Sequence, residues 1–248
     1  MPAAADRNTA LGRAKQADAA MDVHYPDAPL DVQYLAGSAS APARRQDGRE
    51  VKLGPRGAAT RLRLMEAARV LFEKNGYGRV SVAHICERAK VSQGTYYQYF
   101  RDRGDIMLAL VDAYVVSLLQ NSELVWHVEE GREGLARLLD SYVGDYAENA
   151  AFARVWEEVS QIEPPLADAR RRLTRVIEGT MARQLAKGVA LGHIPPISDV
   201  SSTARALAAM ADRHCYLTYA FDPPATPIPP AQTAALLTTL WSQALNLP

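Results

Sequence analysis

The feature that most constrains the fold of this 248-residue chain is a long stretch without proline, between Arg56 and Glu163. Within it the apolar residues recur at steps of three and four, which is the period of one face of an α-helix. Proline inside a helix removes a backbone hydrogen bond and clashes with the preceding turn, so its absence lets helices follow one another. The sequence contains no run of alternating β-branched residues, which would favour strands. The chain is therefore predicted to be all-α.

Glycine and proline mark the expected ends of the helices. One apolar stripe begins at Leu64 and stops at Asn75-Gly76, a typical helix end. Later breaks fall at Pro164-Pro165, between Gly192 and Pro196, and in the loop from Pro223 to Pro230. Beyond residue 103 the sequence predicts helices near 105–125, 133–149, 151–162, 165–190, 199–221 and 230–246.

Charge is segregated along the chain, although 28 basic and 28 acidic residues cancel overall. Residues 44–103 contain 14 Lys and Arg against 6 Asp and Glu, a net charge of +8. A basic segment in an otherwise acidic chain favours a polyanionic partner for that segment alone. A solvated basic surface would give the same pattern.

The low cysteine content and the lack of targeting and membrane-spanning patterns favour a cytoplasmic protein with reduced thiols. The two cysteines, Cys86 and Cys215, are too few for a disulfide framework. The N-terminus shows no basic-then-apolar signal pattern, and no run of about 18 uncharged apolar residues could span a membrane. We therefore expect a cytoplasmic protein with no membrane partner.

Two short capped helices are predicted between Ser81 and Phe100. Ser81 and Ser92 stand where N-cap residues are expected, one before a helix of about nine residues and one before a helix of about eight. A tight turn at Lys90-Val91 separates them. Two short helices joined in this way form a helix-turn-helix, whose second helix can enter the major groove of DNA.

The residue types on the second helix suit this role. Tyr96 and Phe100 are expected to point inward, whereas glutamine amides on the outer face could pair with adenine and a threonine methyl could contact thymine. Tyrosine hydroxyls and an arginine suit phosphate oxygens. Gly94 would let the start of the helix approach the duplex closely. The alternative is that the aromatic run from Tyr96 to Phe100 is simply the core at a helix end.

The segment AARVLFEKNGYGRVSVAHICERAKVSQGTYYQYFRDRGDIMLALV resembles the TetR family of transcriptional regulators over about residues 58–111. Two positions depart from the family pattern: Lys90 replaces the usual glycine of the turn, and Arg103 replaces a lysine. The resemblance implies that the DNA-contacting residues are Gln93, Gly94, Thr95, Tyr97, Gln98 and Tyr99, with Ser81, Val82 and Arg103 near phosphates.

The domain organisation follows from the composition of the first 50 residues, which are rich in Ala, Asp, Gly, Ser and Pro, and from the resemblance, to which the long basic arm is an addition. We expect a disordered, basic-ended arm over 1–55, a three-helix helix-turn-helix DNA-binding head over 56–103, and a helical body for ligand binding and dimerisation over 104–248. The arginines at the end of the arm, Arg44, Arg45 and Arg49, either contact DNA or belong to a solubilising tail. The role of the rest of the arm stays open.

Bodies of this family usually enclose an apolar pocket, so the resemblance implies a small hydrophobic effector. Aromatic side chains at helical spacing are more often core, but their number here favours a cavity. The C-terminal pattern is also similar to that of a mycobacterial repressor of the family with a narrow hydrophobic channel; it places Tyr216 and Trp241 at the ligand, and Ala211 where that protein has a polar contact. The candidate ligand-binding residues are Tyr114, Trp126, Tyr142, Tyr146, Phe152, Trp156, Tyr216 and Trp241.

The expected partners are a double-stranded DNA operator, a second copy of the chain and the effector. A symmetric operator needs two reading heads about 34–36 Å apart, which requires a two-fold dimer. In the family the last two helices pair between subunits; here they are 199–221 and 230–246. The predicted function is that of a repressor released from its operator by the effector. An activator, or an architectural DNA-binding protein without a ligand, is the alternative.

Catalysis is not expected. His214 and Cys215 come closest to a nucleophile and base, but adjacent residues of a helix point about 100° apart. The histidines and cysteines show none of the spacings typical of zinc ligands, so neither a metal site nor a cofactor is predicted.

Overall fold

The structure is a computed structural model that describes residues 43–44, 50–51 and 53–247. Its α-helices are α1 (Pro55–Asn75), α2 (Val82–Ala89), α3 (Gln93–Tyr96), α4 (Arg103–Gln120), α5 (Gly131–Glu148), α6 (Ala150–Ser160), α7 (Pro164–Leu191), α8 (Val200–Cys215) and α9 (Pro230–Leu245). A π-helical segment, Tyr216–Phe221, continues α8. Short 3-10 turns lie at Tyr77–Arg79, Ser122–Leu124 and Val128–Glu130.

The helical fold predicted from the sequence is confirmed, and local chemistry explains where the helices begin and end. Proline occupies the first turn of α1, α7 and α9, where its missing N–H costs nothing. Gly76 and Gly192 end α1 and α7 with φ of 77° and 76°, in the left-handed half of backbone space. The helix predicted over 199–221 is instead divided between α8 and the π-helical segment.

The predicted arm falls mostly outside the described residues. The predicted disorder of the arm stays a prediction. Ala43–Arg44 and Glu50–Val51 form two short antiparallel strands, with Ala43 opposite Val51 and Arg44 opposite Glu50. Helix α1 follows almost at once, beginning at Pro55.

The described helices enclose two hydrophobic cores. The first core joins the predicted head to α4, α6 and the start of α7, and includes Phe72, Ile85, Tyr96, Ile106 and Phe152. All five of these side chains are at most 1% exposed. Because residues of the head and of the body share this core, a movement of α4 or α6 would require side chains of the head to repack.

The second core lies among α5, the C-terminal half of α7, α8 and α9. It includes Leu139, Leu185, Cys215 and Trp241. Burial raises the pKa of the Cys215 thiol to about 12, so this cysteine behaves as an apolar side chain. Within the described ranges, no helix is both long enough and apolar enough to cross a membrane.

Hydrogen-bonded polar side chains connect the elements that surround the two cores. The Tyr114 hydroxyl of α4 donates to Asp145 of α5 at 2.7 Å. Arg170 of α7 pairs with Glu157 at 2.5 Å and with Asp212 of α8 at 3.5 Å. Burial raises the pKa of both Asp145 and Asp212, since it penalises the charged carboxylate.

Candidate nucleic-acid interface

Helix α2 begins with a reciprocal cap at Ser81. The Ser81 Oγ accepts a hydrogen bond from the His84 backbone N–H at 3.2 Å, and the Ser81 N–H donates to His84 Nδ1 at 3.2 Å. Histidine takes here the place that Glu or Gln holds in the usual capping box. The prediction of Ser81 as an N-cap is confirmed.

Helix α2 ends at Lys90, which stands in the left-handed region with φ 55° and ψ 49°. Its N–H donates to the Glu87 carbonyl at 3.2 Å, and the Val91 N–H donates to the Cys86 carbonyl at 3.0 Å. These bonds satisfy the last carbonyls of α2 and reverse the chain toward α3. The turn of the predicted helix-turn-helix is therefore present, with a lysine where only glycine is free of strain.

Helix α3 is capped by Ser92, as predicted, but it is shorter than the eight residues expected. The Ser92 Oγ accepts from the Thr95 N–H at 3.1 Å and lies 3.0 Å from the Thr95 hydroxyl. After Tyr96 the backbone tightens into turns, with the Gln98 N–H donating to the Thr95 carbonyl at 3.2 Å. The buried Tyr96 hydroxyl donates to the Asp102 carbonyl at 2.8 Å, which links the end of α3 to the N-cap residue of α4.

The inward and outward faces of α3 follow the sequence prediction. Tyr96 and Phe100 are buried, at 0% and 2% exposure. Burial raises the pKa of Tyr96, so its hydroxyl stays protonated as a donor. The residues predicted to contact DNA are otherwise at least partly open to solvent: Gln93, Gly94, Tyr97 and Gln98 are exposed, and Thr95 and Tyr99 are half-buried.

An open recess of about 320 Å³ lies where the N-terminal end of α2 faces the end of α3. We call it the head recess. It contains four residues predicted to bind DNA, Ser81, Val82, Tyr97 and Arg103, and two arginines, Arg79 and Arg101, that the prediction missed. Its lining residues are Gly78, Arg79, Val80, Ser81, Val82, Tyr97, Arg101, Asp102 and Arg103.

The two missed arginines differ in how much of their charge is available. Arg101 pairs with Asp105 at 3.1 Å, which neutralises part of its charge. Arg79 is exposed, and among the described residues its side chain has no hydrogen bond or ion pair. Its position two residues before a predicted N-cap is the signal by which the sequence could have identified it.

Arg103, predicted to lie near a phosphate, makes contacts within the head that the sequence did not predict. Its Nη1 donates to the Tyr77 carbonyl at 3.0 Å and to the Val80 carbonyl at 2.6 Å. Its guanidinium also lies over the Tyr77 ring, 4.8 Å from the centroid. These contacts direct Nη1 into the head, and the phosphate contact of Arg103 stays a prediction.

Tyr77 extends these contacts to the body. Its hydroxyl donates to Glu163 Oε1 at 3.3 Å. Burial, followed by the charge of Glu163, raises the pKa of Tyr77 to about 12. The hydroxyl therefore stays protonated at neutral pH and can hold this hydrogen bond.

The aromatic residues predicted to line a ligand pocket divide between the two cores. Tyr114, Phe152 and Trp156 pack in or against the first core, with Tyr114 and Phe152 ring centroids 5.5 Å apart. The other five pack in or against the second core: Trp126, Tyr142, Tyr146, Tyr216 and Trp241. The arrangement differs from the single pocket wall predicted, because aromatic residues at helical spacing pack into whichever core their helix faces.

Two of these aromatic side chains retain an unused donor. The Trp126 indole N–H donates to the Gly131 carbonyl at 3.1 Å and is satisfied. The indole N–H groups of Trp156 and Trp241 are buried and have no hydrogen-bond partner within the described part of the chain. Buried donors of this kind are usually satisfied by water or by a ligand.

Comparison with known proteins supports the reading of the head. A family model described as "Bacterial regulatory proteins, tetR family" matches residues 64–110, which run from within α1 into α4. The transcriptional regulator AcuR of Cereibacter sphaeroides is 35% identical over 79 residues, 30% of this chain and 34% of that protein. The HTH-type transcriptional regulator HbdR of Aromatoleum is 34% identical over 74 residues, 28% of this chain and 32% of that protein. The chain thus spans about a third of the length of these relatives.

Solved structures extend the likeness of fold to the body. A tetR-family regulatory protein from Rhodococcus is 22% identical with a TM-score of 0.61, over 76% of this chain and 98% of that one. SmeT, the repressor of the SmeDEF multidrug efflux pump of Stenotrophomonas maltophilia, is 18% identical with a TM-score of 0.62, over 77% of this chain and 92% of that one. The family model thus shows that the segment 64–110, which contains the helix-turn-helix, is similar to the tetR family of bacterial regulatory proteins, and the solved structures show a likeness of fold over about three quarters of the chain.

Proposed function

We propose that the protein is a sequence-specific DNA-binding transcriptional regulator, and more particularly a repressor that a small hydrophobic effector releases from its operator. The observation that carries the proposal is the head recess, which sets the capped end of α2 and the free Arg79 beside the exposed polar face of α3. An operator-binding role places the protein in the cytoplasm. The named relatives are regulators, and the proposal contains no catalytic step.

The residues of this face are proposed to have two roles, recognition of bases and binding of phosphates. Gln93 and Gln98 carry amides that can pair with the major-groove edge of adenine. The N-terminal end of α2 offers backbone N–H groups and the positive end of the helix dipole to a phosphate. Arg79 and the Tyr97 hydroxyl flank the same recess and would anchor the backbone of the duplex.

Dimerisation is proposed through α8, the π-helical segment and α9. Five large apolar side chains of these elements are exposed: Met210, Leu217, Phe221, Leu236 and Leu240. The Tyr219 hydroxyl binds the Thr233 hydroxyl at 2.7 Å and holds the two elements side by side. We call the five exposed residues the apolar face. Exposed apolar side chains in this number, on a protein proposed to need two heads, fit a two-fold contact between copies.

The effector is proposed to act on the body and to change the spacing of the two heads through α4. The second core, with five of the eight candidate aromatic residues, is the place we favour for it. The unpartnered indole N–H of Trp241 would suit a mainly apolar molecule that carries a hydrogen-bond acceptor. The similarity to the mycobacterial repressor stays a prediction. An activator, or a ligand-independent DNA-binding protein, remains the second candidate, since the head would be the same.

The test is a fluorescence-anisotropy titration with DNA from upstream of the protein's own gene, at several salt concentrations. We expect binding that is sequence-dependent and weakens steeply with salt, by a slope of about 0.9 for each phosphate contacted. Gln98→Ala should relax the sequence preference, whereas the matched variant Gln120→Ala, at an exposed site at the end of α4, should bind as the unmodified protein does. Equal affinity for all DNA would favour an architectural role, and no binding at any salt would refute the proposal.

A further inference from the structure

We propose that Arg103 is a positioning residue of the DNA-binding head, which with Tyr77 and Glu163 ties the loop before α2 to the body. The inference rests on the proposed function, because it concerns how the DNA-binding face is held. It differs from the role implied by the family pattern, in which this basic residue would lie at a phosphate.

Arg103 binds the loop before α2 through two hydrogen bonds and one ring contact. One nitrogen, Nη1, donates to two carbonyls, of Tyr77 at 3.0 Å and of Val80 at 2.6 Å. The plane of the guanidinium also contacts the ring of Tyr77. Charge-assisted hydrogen bonds are about twice as strong as neutral ones, so the two carbonyls are held firmly at the ends of the short 3-10 turn.

The 3-10 turn lies just before α2. Val80 is 1% exposed and directly precedes Ser81, whose side chain caps α2. Fixing the Val80 carbonyl therefore fixes the N-terminal end of α2, which borders the head recess. Because Arg103 is the first residue of α4, any displacement of α4 is passed to this end of α2.

Tyr77 also links the loop before α2 to the body. The Tyr77 ring that receives Arg103 carries the hydroxyl that donates to Glu163 at 3.3 Å. Glu163 lies directly before α7, at the corner between α6 and α7. The loop before α2 is thus held from two sides, by α4 through Arg103 and by the α6–α7 corner through Glu163.

Salt dependence separates positioning from direct phosphate contact. If Arg103 positions the loop, Arg103→Lys and Arg103→Gln should both weaken DNA binding about tenfold at fixed salt, since each loses the paired carbonyl contacts. The salt slope should then stay unchanged in both. If Arg103 instead binds a phosphate, Arg103→Lys should bind almost normally and Arg103→Gln should lower the slope by about 0.9.

Arg79→Gln is the matched control, since Arg79 lines the same recess with its charge free. It should lower the slope by about 0.9. Tyr77→Phe removes only the hydroxyl that reaches Glu163; it should weaken binding with an unchanged slope. Thermal melts establish that each variant is folded at the assay temperature.

A second measurement needs no operator. Amide hydrogen exchange from Val80 to His84 should be faster in Arg103→Lys and in Tyr77→Phe than in the unmodified protein, because the loop is released. Unchanged exchange in both folded variants would overturn the positioning role, even if the protein bound DNA. Conversely, faster exchange in a protein that binds no DNA would support the positioning role and refute the proposed function.

Discussion

Lys90 is the residue whose backbone is most at odds with its side chain. It holds the helix-turn-helix turn with φ 55° and ψ 49°, a conformation that costs a residue with a Cβ about 1–2 kcal/mol. Lys90→Gly should therefore raise the free energy of unfolding, by up to about 1 kcal/mol once the greater freedom of unfolded glycine is subtracted. For a chain of this size, that corresponds to about 2–4 °C in the melting temperature.

Lys90→Ala is the control for this prediction, because it removes the charge and keeps the Cβ. Thermal melts of the two variants should differ, with only the glycine variant more stable than the unmodified protein. Equal melting temperatures for both variants would show that the backbone at residue 90 is not strained.

At the scale of single residues, the helix N-caps were easier to predict from the sequence than the functional roles of the arginines. Ser81 and Ser92 were identifiable because an N-cap depends only on the residues that follow it in the chain. Arg79 and Arg103 both belong to the same basic segment, and the residues around them do not show which of the two turns a nitrogen inward. What separates them is the position of two carbonyls, of Tyr77 and Val80, which only the folded chain brings to Arg103.

Among the helices, α3 depends most on its cap, since it has only four residues. Ser92→Ala removes the acceptor for the Thr95 N–H and should cost about 1 kcal/mol of stability. Ser92→Asp keeps an acceptor and should leave the melting temperature close to that of the unmodified protein. The added negative charge on the proposed DNA-binding face should nevertheless weaken DNA affinity at low salt more than Ser92→Ala does.

Melting curves and anisotropy titrations of the two Ser92 variants test this prediction together. A Ser92→Asp variant that is stable and binds DNA normally would mean that the start of α3 does not face the duplex. A variant that is as unstable as Ser92→Ala would mean that the cap geometry excludes a carboxylate.

The long helices were predictable because periodic apolar residues and proline positions are local signals. The length of α3 was not predictable, because the turns after Tyr96 lie among contacts that only the folded chain makes, such as that of the Tyr96 hydroxyl with the Asp102 carbonyl. The π-helical segment Tyr216–Phe221 was missed for a similar reason. Its apolar residues have nearly the spacing of an α-helix, and the changed hydrogen-bond pattern leaves no mark in the residue types.

At the scale of the whole molecule, the sequence predicted one aromatic pocket and the structure contains two cores. The candidate residues lie on five elements or on the segments beside them, and which core each one joins is decided by helix packing. Tyr114 and Tyr142 are alike in type and both half-buried, yet one packs against the first core and the other against the second. Periodicity identifies the buried face of a helix but not the partner that covers it.

The proposed dimer leads to a prediction about assembly. Leu236 and Leu240 are four residues apart on α9, on one side of the helix, and are 47% and 40% exposed. Replacing both with glutamate would bury four like charges, two from each copy, in the proposed apolar contact. Leu236→Glu/Leu240→Glu should therefore be monomeric by analytical ultracentrifugation at concentrations where the unmodified protein is dimeric.

The control is Leu191→Glu, a leucine at the end of α7 that is 54% exposed and lies outside the apolar face. It should stay dimeric. The monomeric variant should keep its affinity for a DNA half-site, because the head is unchanged, and lose the additional affinity for a full operator that two linked heads provide. A double variant that remains dimeric would place the subunit contact elsewhere on the body, and a full-operator affinity unaffected by monomerisation would show that one head is enough.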